Sequence, residues 1–225
     1  MFDRIAGVYD LMNTAMTAGL HHRWRALAAD RAELSPGDVA LDVCCGTADL
    51  AIELTSRVGP TGRVVGSDFS EQMLAVGRSK VAERGITGIE LEWGDALGLA
   101  YEDESFDAVT IGFGARNLAD LGLGIGEMAR VLKPAGRLVI LEIVEPTRPP
   151  LSTFYSLWFD RLVPVLGTVT GNHDAYAYLP ESVKRFPAPR ALAAQVAAAG
   201  FERVRGTILA GGIITVVSGV KRAEG

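Results

Sequence analysis

The sequence predicts an α/β protein in which helices cover both faces of a mostly parallel, seven-stranded sheet. Between Val39 and Val144, a short apolar or β-branched run, a turn and a helical stretch follow one another repeatedly. Alternation of this kind is typical of parallel sheets with right-handed crossovers. The run from Val39 to Val43 is almost purely apolar, which indicates a central strand covered on both faces.

The chain divides into four predicted segments of one domain. We expect N-terminal helices in residues 1–34, a core of alternating strands and helices in 35–145, a helical insertion in 146–189, and a last helix with two strands in 190–225. The insertion is predicted because aromatic residues and prolines break the alternation there, and we place it over the strand ends. The predicted strands are 39–43, 63–67, 89–93, 108–111 and 137–143, with two more near 203–208 and 212–220. The predicted helices of the core and C-terminus are 49–57, 70–84, 120–132 and 190–199.

Local signals support individual elements. Ser70 is a plausible N-cap of the helix that follows it, and Gly85 a plausible stop. Trp24 and Trp93 are most simply assigned to the core.

Composition excludes several classes of protein. The 225 residues carry a formal net charge of −5, so we expect no nucleic-acid partner. No apolar stretch is long enough to cross a membrane, and the N-terminus has charges where a signal peptide is apolar, so we expect a cytoplasmic protein. The adjacent cysteines Cys44 and Cys45 suit neither a disulfide nor a site of spaced metal ligands. We therefore expect them to be small buried residues, and we expect no metal.

Polar residues follow three successive predicted strands. Gly46 and Thr47 come after the first strand, where a glycine lets backbone approach a ligand and a helix N-terminus presents N–H groups. Asp68 ends the second strand, where a carboxylate can accept hydrogen bonds from both hydroxyls of a ribose. Asp95 follows the third and could meet an adenine amino group. These positions predict a nucleoside site at the carboxyl ends of the strands; the alternative is that Asp68 and Asp95 merely cap helices or turns.

The glycine pattern limits the class of ligand that the site is expected to bind. The first strand ends in Asp42-x-Cys44-x-Gly46-x-Ala48, which lacks the G-x-G-x-x-G that cradles a pyrophosphate. The sequence therefore favours a nucleoside ligand without phosphates over NAD or FAD.

Longer motifs carry a resemblance to a known family. The chain resembles class I S-adenosylmethionine-dependent methyltransferases, which have a Rossmann-like fold, and more narrowly the family that C-methylates the ring of menaquinone and ubiquinone precursors. The narrower resemblance is carried by YDLMNTAMTAGLHHRW (9–24), IGFGARN (111–117), RVLKPAGRLVILE (130–142) and AYAYLPESVKRFP (175–187). It implies S-adenosyl-L-methionine as cofactor. The candidate cofactor contacts are Cys44, Gly46, Thr47, Asp68, Phe69, Asp95, Ala96 and Gly112.

Five positions depart from the family pattern, two of them being Thr17 and Val144, where serines are common. Gly112 stands where a serine is usual, so a hydroxyl contact is missing, and Ala48 and Ala135 replace common glycines. An alanine forced to positive φ would cost on the order of 1 kcal/mol, which a domain can tolerate.

The resemblance also implies an acceptor and catalytic residues. The acceptor is a prenylated quinol, demethylmenaquinol being converted to menaquinol, or a benzoquinol of ubiquinone synthesis. Arg116 and Asn117 would lie beside its ring, where Arg116 could stabilise a phenolate; an arginine is a poor base. Tyr9 and Asp10 could hydrogen-bond the acceptor or the donor. His21 matches a family position and is assigned mainly to packing.

Other interpretations stay open. The apolar segment Leu151 to Val169 is either a buried lid or an entrance for a prenyl tail, with peripheral contact at the inner face of the membrane. The sequence is compatible with a homodimer and does not decide the oligomeric state. The rival functions are methylation of a soluble aromatic or secondary metabolite, and a catalytically inactive S-adenosylmethionine-binding protein.

Overall fold

The computed structural model describes residues 13–14, 17–146 and 180–223, and within them a seven-stranded sheet. The strands are β1 (Val39–Val43), β2 (Arg63–Asp68), β3 (Ile89–Trp93), β4 (Phe106–Gly112), β5 (Leu132–Ile143), β6 (Phe201–Leu209) and β7 (Ile214–Lys221). Their order is β3-β2-β1-β4-β5-β7-β6. The first five strands are parallel, whereas β7 runs antiparallel to both β5 and β6. The predicted mostly parallel α/β fold is confirmed.

Helices connect the strands. They are α1 (Leu20–Arg31), α2 (Asp49–Val58), α3 (Glu71–Glu83), α4 (Leu121–Val131) and α5 (Pro189–Ala198), with short 3-10 turns at Ala115–Asn117 and Ala210–Gly212. Residues 180–185 are also helical. The predicted cap of α3 is confirmed, since the Ser70 hydroxyl accepts a hydrogen bond from the Met73 N–H at 3.2 Å. Gly85 follows the helix with φ of +61°, a conformation that favours glycine and ends the helix.

Two hydrophobic clusters cover opposite faces of the sheet. Along β1, Leu41 and Val43 belong to one cluster and Ala40 to the other, as the alternation of a strand requires. Helices α4 and α5 pack in the first cluster and α1 and α2 in the second. The sheet is thus covered on both faces, which explains the apolar character of β1.

The strand order reverses at β1. Strand β2 pairs with β1 on one side and β4 pairs with it on the other, so the connections leaving these strands diverge. A cleft opens at such a reversal, beyond the carboxyl ends of the strands. The residues following β1, β2, β3 and β4 therefore surround one site.

Some predictions fail or lie outside the described residues. The predicted core position of Trp93 is wrong, because the residue ends β3, an edge strand of the sheet, and is 56% exposed. The predicted insertion falls largely on residues 147–179, which lie outside the described residues, so the division into four segments stays a prediction. Among the described residues, no helix combines the length and the apolar character needed to cross a membrane.

Candidate active site

The loop between β1 and α2 has an unusual backbone. Cys44, Gly46 and Ala48 all have positive φ, at 54°, 56° and 67°. Ala48 is thus in the left-handed conformation that the glycine usual at this position would adopt without strain. A Cβ added to Gly46 would meet no atom within 4 Å, so open space lies beside this residue. The loop turns sharply out of the sheet and leaves its backbone accessible to a ligand.

The carboxylate of Asp68 is oriented by two backbone donors. Its Oδ2 accepts a hydrogen bond from the Gly46 N–H and its Oδ1 one from the Ser70 N–H, each at 2.8 Å. These bonds tie the tip of β2 to the loop after β1. A carboxylate offers about four acceptor positions in all. Phe69 follows with its side chain 70% exposed, an aromatic face beside the carboxylate.

Asp95 follows β3 in a tight turn. Its Oδ1 accepts a hydrogen bond from the Leu97 N–H at 2.9 Å, and its carbonyl accepts one from the Gly98 N–H. Asp95 is exposed, whereas Ala96 is buried. Both Asp68 and Asp95 therefore cap local turns, as the simpler interpretation of the sequence proposed. For the exposed Asp95 this role is compatible with ligand binding, because a carboxylate has about four acceptor positions.

Gly112 is the last residue of β4 and lies at the edge of the candidate site. A Cβ built on it would approach Leu50 Cδ2 to 3.0 Å, so Leu50 would have to shift to admit a side chain. Gly112 therefore packs against Leu50 of α2, and a serine would fit at this position only if Leu50 moved. Any contact from this position comes from backbone.

Arg116 lies in the 3-10 turn after β4 and forms a buried ion pair. Its Nη1 is 2.6 Å from Glu142 Oε1 on β5, and the same nitrogen donates to the Phe113 carbonyl. The backbone N–H of Arg116 donates to the other carboxylate oxygen of Glu142. The Glu142 side chain is fully buried and that of Arg116 is 8% exposed. Glu142 thus fixes both the main chain and the guanidinium of Arg116.

Asn117 ends the same turn, with its N–H donating to the Gly114 carbonyl at 3.0 Å. Gly114 has to be glycine, because a Cβ there would lie 2.5 Å from Cys44 Cβ. The loops after β1 and β4 are in direct contact at this point. The structure therefore places Arg116 and Asn117 beside the loop that contains Gly46.

The prediction that both cysteines are buried is confirmed for Cys45 and wrong for Cys44. Both are free; Cys45 is buried and Cys44 half-buried. Burial, followed by the negative charges of Asp68 and Asp42, raises the pKa of both thiols well above the usual range. The thiolate is the reactive form, so neither residue is activated as a nucleophile.

The arrangement fits a nucleoside bound across the strand tips. Asp68 presents an oriented carboxylate, the open face of Gly46 admits close approach, and a phosphate-cradling glycine run is lacking. The fold and this arrangement are those expected of a class I S-adenosylmethionine-dependent methyltransferase.

Comparisons with known proteins agree with this class. The chain matches the ubiE/COQ5 methyltransferase family over residues 1–221, and it belongs to that family. A demethylmenaquinone methyltransferase of Thermus thermophilus is 47% identical, over 96% of this chain and 97% of that protein. One of Desulfitobacterium hafniense is 44% identical, over 98% of this chain and 88% of that protein. The enzyme is a methyltransferase, and S-adenosylmethionine is its cofactor.

A solved structure supports the fold. A SAM-dependent methyltransferase from Aquifex aeolicus aligns with a TM-score of 0.62 at 21% identity, covering 83% of this chain and 84% of that chain. At this identity the likeness concerns the fold alone.

Sequence reasoning missed several charged residues at the site. Glu142, Lys80 and Arg25 are not among the predicted site residues. A signal existed for Lys80, which lies three residues after the buried Gly77 and so on the inner face of α3. Tyr9 and Asp10 lie outside the described residues, so their predicted roles stay predictions.

Proposed function

We propose that this enzyme transfers a methyl group from S-adenosylmethionine to a ring carbon of a prenylated demethylnaphthoquinol, converting demethylmenaquinol to menaquinol. The observation that carries the proposal is its similarity to proteins named demethylmenaquinone methyltransferase, at 47% and 44% identity over nearly the whole chain. A benzoquinol or a soluble aromatic is the competing acceptor, and each is an outcome of the test below.

The cofactor supplies an electrophilic methyl group on a sulfonium, and the protein has to orient it. We propose that Asp68 accepts hydrogen bonds from the ribose hydroxyls. Its carboxylate is already oriented by the Gly46 and Ser70 N–H groups. We assign contact with the edge of the adenine ring to Asp95 and Ala96, and contact with the face of the ring to Phe69. Thr47, Gly46, Cys44 and Gly112 complete the predicted contacts. Preorganised contacts of this kind accelerate a displacement by alignment, without a covalent protein intermediate.

The acceptor requires a different contribution. A quinol ring carbon becomes nucleophilic when the neighbouring hydroxyl loses its proton, because a phenolate pushes electron density onto that carbon. We assign stabilisation of this phenolate to Arg116, which Glu142 holds at the tip of β4. The same Glu142 contact keeps the guanidinium from swinging away, so the positive charge is in place before the acceptor binds. Asn117, Tyr9 and Asp10 are the further residues we assign to the acceptor side.

The acceptor also has an apolar tail. We propose that the apolar segment Leu151 to Val169 admits the prenyl chain, and that the enzyme contacts the inner face of the membrane, where such tails dissolve. We propose no nucleic-acid partner, and a homodimer stays a prediction that size measurements in solution would test.

The experiment is an incubation of the purified protein with methyl-labelled S-adenosylmethionine and demethylmenaquinone, either chemically reduced or left oxidised. We expect labelled menaquinone only with the reduced acceptor, identified by mass spectrometry. Equal labelling of both forms would contradict the phenolate mechanism. A series of acceptors with shorter prenyl chains should show a rising KM, and indifference to chain length would point to a soluble aromatic. Cofactor binding with no transfer to the naphthoquinol, followed by transfer to a benzoquinol, would reassign the acceptor.

A further inference from the structure

We propose that the end of the domain at which the parallel strands terminate docks on a phospholipid bilayer, with the hairpin between β6 and β7 as a principal contact. We call it the apolar end, and it is defined by the exposed side chains of Leu20, Phe69, Trp93, Leu123 and Ile208. The candidate active site lies at the same end. The inference rests on the proposed prenylated acceptor, and it assigns the membrane contact to a particular surface.

The described residues include five exposed large apolar side chains, and all five lie at the apolar end. Phe69 follows β2, and Trp93 is the last residue of β3. Leu123 is in the first turn of α4, which begins after β4 and runs back to the start of β5. Ile208 is near the end of β6, which is parallel to β5 because both are antiparallel to β7. Single exposed apolar residues are normal on a protein surface, but their concentration at one end calls for a cause.

The direction of α1 places Leu20 at this end as well. Arg25 pairs with Asp49, the first residue of α2, whereas Asp30 pairs with Arg57 in the last turn of α2. Helix α1 therefore runs in the same direction as α2, and α2 begins where β1 ends. Leu20 is the first residue of α1 and so lies at the apolar end.

The hairpin between β6 and β7 is a continuous apolar segment. Residues 208–214 read ILAGGII and contain no polar side chain. Ile208 is 61% exposed, and Ala210 and Gly211 are exposed at the tip. The exposure of Ile208 has a geometric cause, because the nine residues of β6 span about 30 Å and the ten residues of α5 only about 15 Å. Helix α5 therefore leaves the carboxyl end of β6 uncovered.

The hairpin lies beside the strands that carry the acceptor side of the site. The Val144 N–H, just beyond β5, donates to the Ile213 carbonyl at 2.8 Å. In the order β4-β5-β7-β6, the hairpin is two to three strands from β4, or about 10–15 Å at the usual spacing. Docking of the apolar end thus places the tip of β4, and with it the proposed acceptor ring, next to the bilayer in which a prenyl tail dissolves.

A bilayer fits this surface better than a second copy of the chain. The exposed side chains are distributed from β3 to β6, the two edges of the sheet, which are about 30 Å apart. The hairpin by itself has seven residues, whereas each side of a stable protein interface has about 20–30. A bilayer is continuous and flat, so separated side chains can enter its headgroup boundary together.

The charges around the surface indicate that the contact is apolar rather than electrostatic. The exposed residues at the apolar end include both signs of charge, namely Arg23, Arg190, Asp120 and Glu145. The opposite end exposes acids in the turns before β1 and β4, at Glu33 and residues 102–104. We therefore expect binding to a neutral bilayer that persists in high salt.

Vesicles that contain no acceptor test the docking surface apart from the reaction. We expect the full chain to co-sediment with phosphatidylcholine vesicles, and Ile208→Ser to weaken that binding about fivefold, the value of a partly immersed isoleucine. Leu123→Ser should weaken it by a similar factor, and the double variant by the product of the two. Ile208→Thr keeps the β-branched shape and should show the same loss. Thr61→Ile, which adds an apolar side chain in the exposed turn before β2 at the opposite end, is the matched control and should leave binding unchanged.

Each outcome decides the inference. Vesicle binding that is absent in the wild type, or unchanged in Ile208→Ser and Leu123→Ser, would overturn it. Loss of a dimer without a change in vesicle binding would assign the surface to a second copy and overturn it as well. With prenylated demethylnaphthoquinol supplied in vesicles, Ile208→Ser should raise KM and leave kcat unchanged. If no methyl transfer occurs, the proposed function fails, and vesicle binding still decides the docking surface.

Discussion

A buried acid beneath the site makes the stability of this enzyme depend on pH. Asp42 is the fourth of the five residues of β1, and 1% of its surface is exposed. Its Oδ1 accepts a hydrogen bond from the Thr110 hydroxyl at 2.7 Å, and its Oδ2 is buried with no hydrogen-bond partner within the part of the chain that the structure describes. Burial raises the pKa of Asp42 from its ordinary value of 3.8 to about 7, although Thr110 and the charge of Arg25 oppose that change. We therefore predict that Asp42→Asn removes a pH dependence of folding.

The sign follows from the two pKa values. Because the pKa of the folded state is higher, the native protein binds a proton between about pH 4 and 7 that the unfolded chain has lost. This group stabilises the fold at low pH, and that contribution is lost as the pH rises through about 7. Integrating proton binding from pH 5 to pH 8 gives a loss of about 2.5 kcal/mol of unfolding free energy. An asparagine has no such titration.

The assay is urea denaturation of both proteins, without ligand, at pH 5, 6, 7 and 8. The difference in unfolding free energy, Asp42→Asn minus wild type, should rise by about 2.5 kcal/mol over this range. Taking the difference cancels the titration of groups that both proteins share. Asp103→Asn, at an acid whose side chain is 73% exposed, is the control and should show a flat difference. A difference for Asp42→Asn that stays flat would refute the raised pKa.

Four further predictions concern the candidate site and the stability of the fold. Asp68→Ala removes an acceptor of the Gly46 N–H, and we expect S-adenosylhomocysteine affinity to fall at least tenfold; near-normal affinity would refute the ribose assignment. Arg116→Ala removes the cationic partner of the buried Glu142 side chain, so it should lower the unfolding free energy by about 3 kcal/mol or more in urea. Arg116→Lys keeps the charge, and we expect lower turnover with unchanged cofactor affinity; normal turnover would remove Arg116 from the chemistry. Ala135 has a φ of 63°, which is strained for alanine and not for glycine, so Ala135→Gly should raise the unfolding free energy in urea by about 1 kcal/mol. No gain would show that the backbone at this position is unstrained.

Periodicity and local signals determined much of the fold. The alternation from Val39 onward predicts the strands of the sheet and their burial on both faces, because a parallel sheet needs helices on each side. The Ser70 cap and the Gly85 stop are local to the chain, so they are readable without tertiary information. The strand-tip positions of Gly46, Asp68 and Asp95 follow from the same alternation, since parallel strands all end at one edge of the sheet.

Other features depended on which strand lies beside which. Strand β5 begins at Leu132, earlier than the predicted 137, because its first residue pairs with Phe106 across a register shift. Trp93 is exposed because β3 is an edge strand, and sequence alone does not reveal strand order. The prediction that Trp93 lies in the core followed from its residue type. The burial of a residue depends more strongly on which elements lie beside it.

The charged contacts of the site were decided by the tertiary structure alone. Arg116 and Glu142 are 26 residues apart, and Lys80 and Thr47 are 33 apart, so neither pair belongs to a local pattern. The first pair forms because β4 lies beside β5, and the second forms because α3 packs near the start of α2. The residue types at these positions are fixed by the chain, but their partners, burial and pKa values come from the packing of the sheet. Electrostatic energies depend on distance and solvent exposure, and folding sets both for residues far apart in sequence.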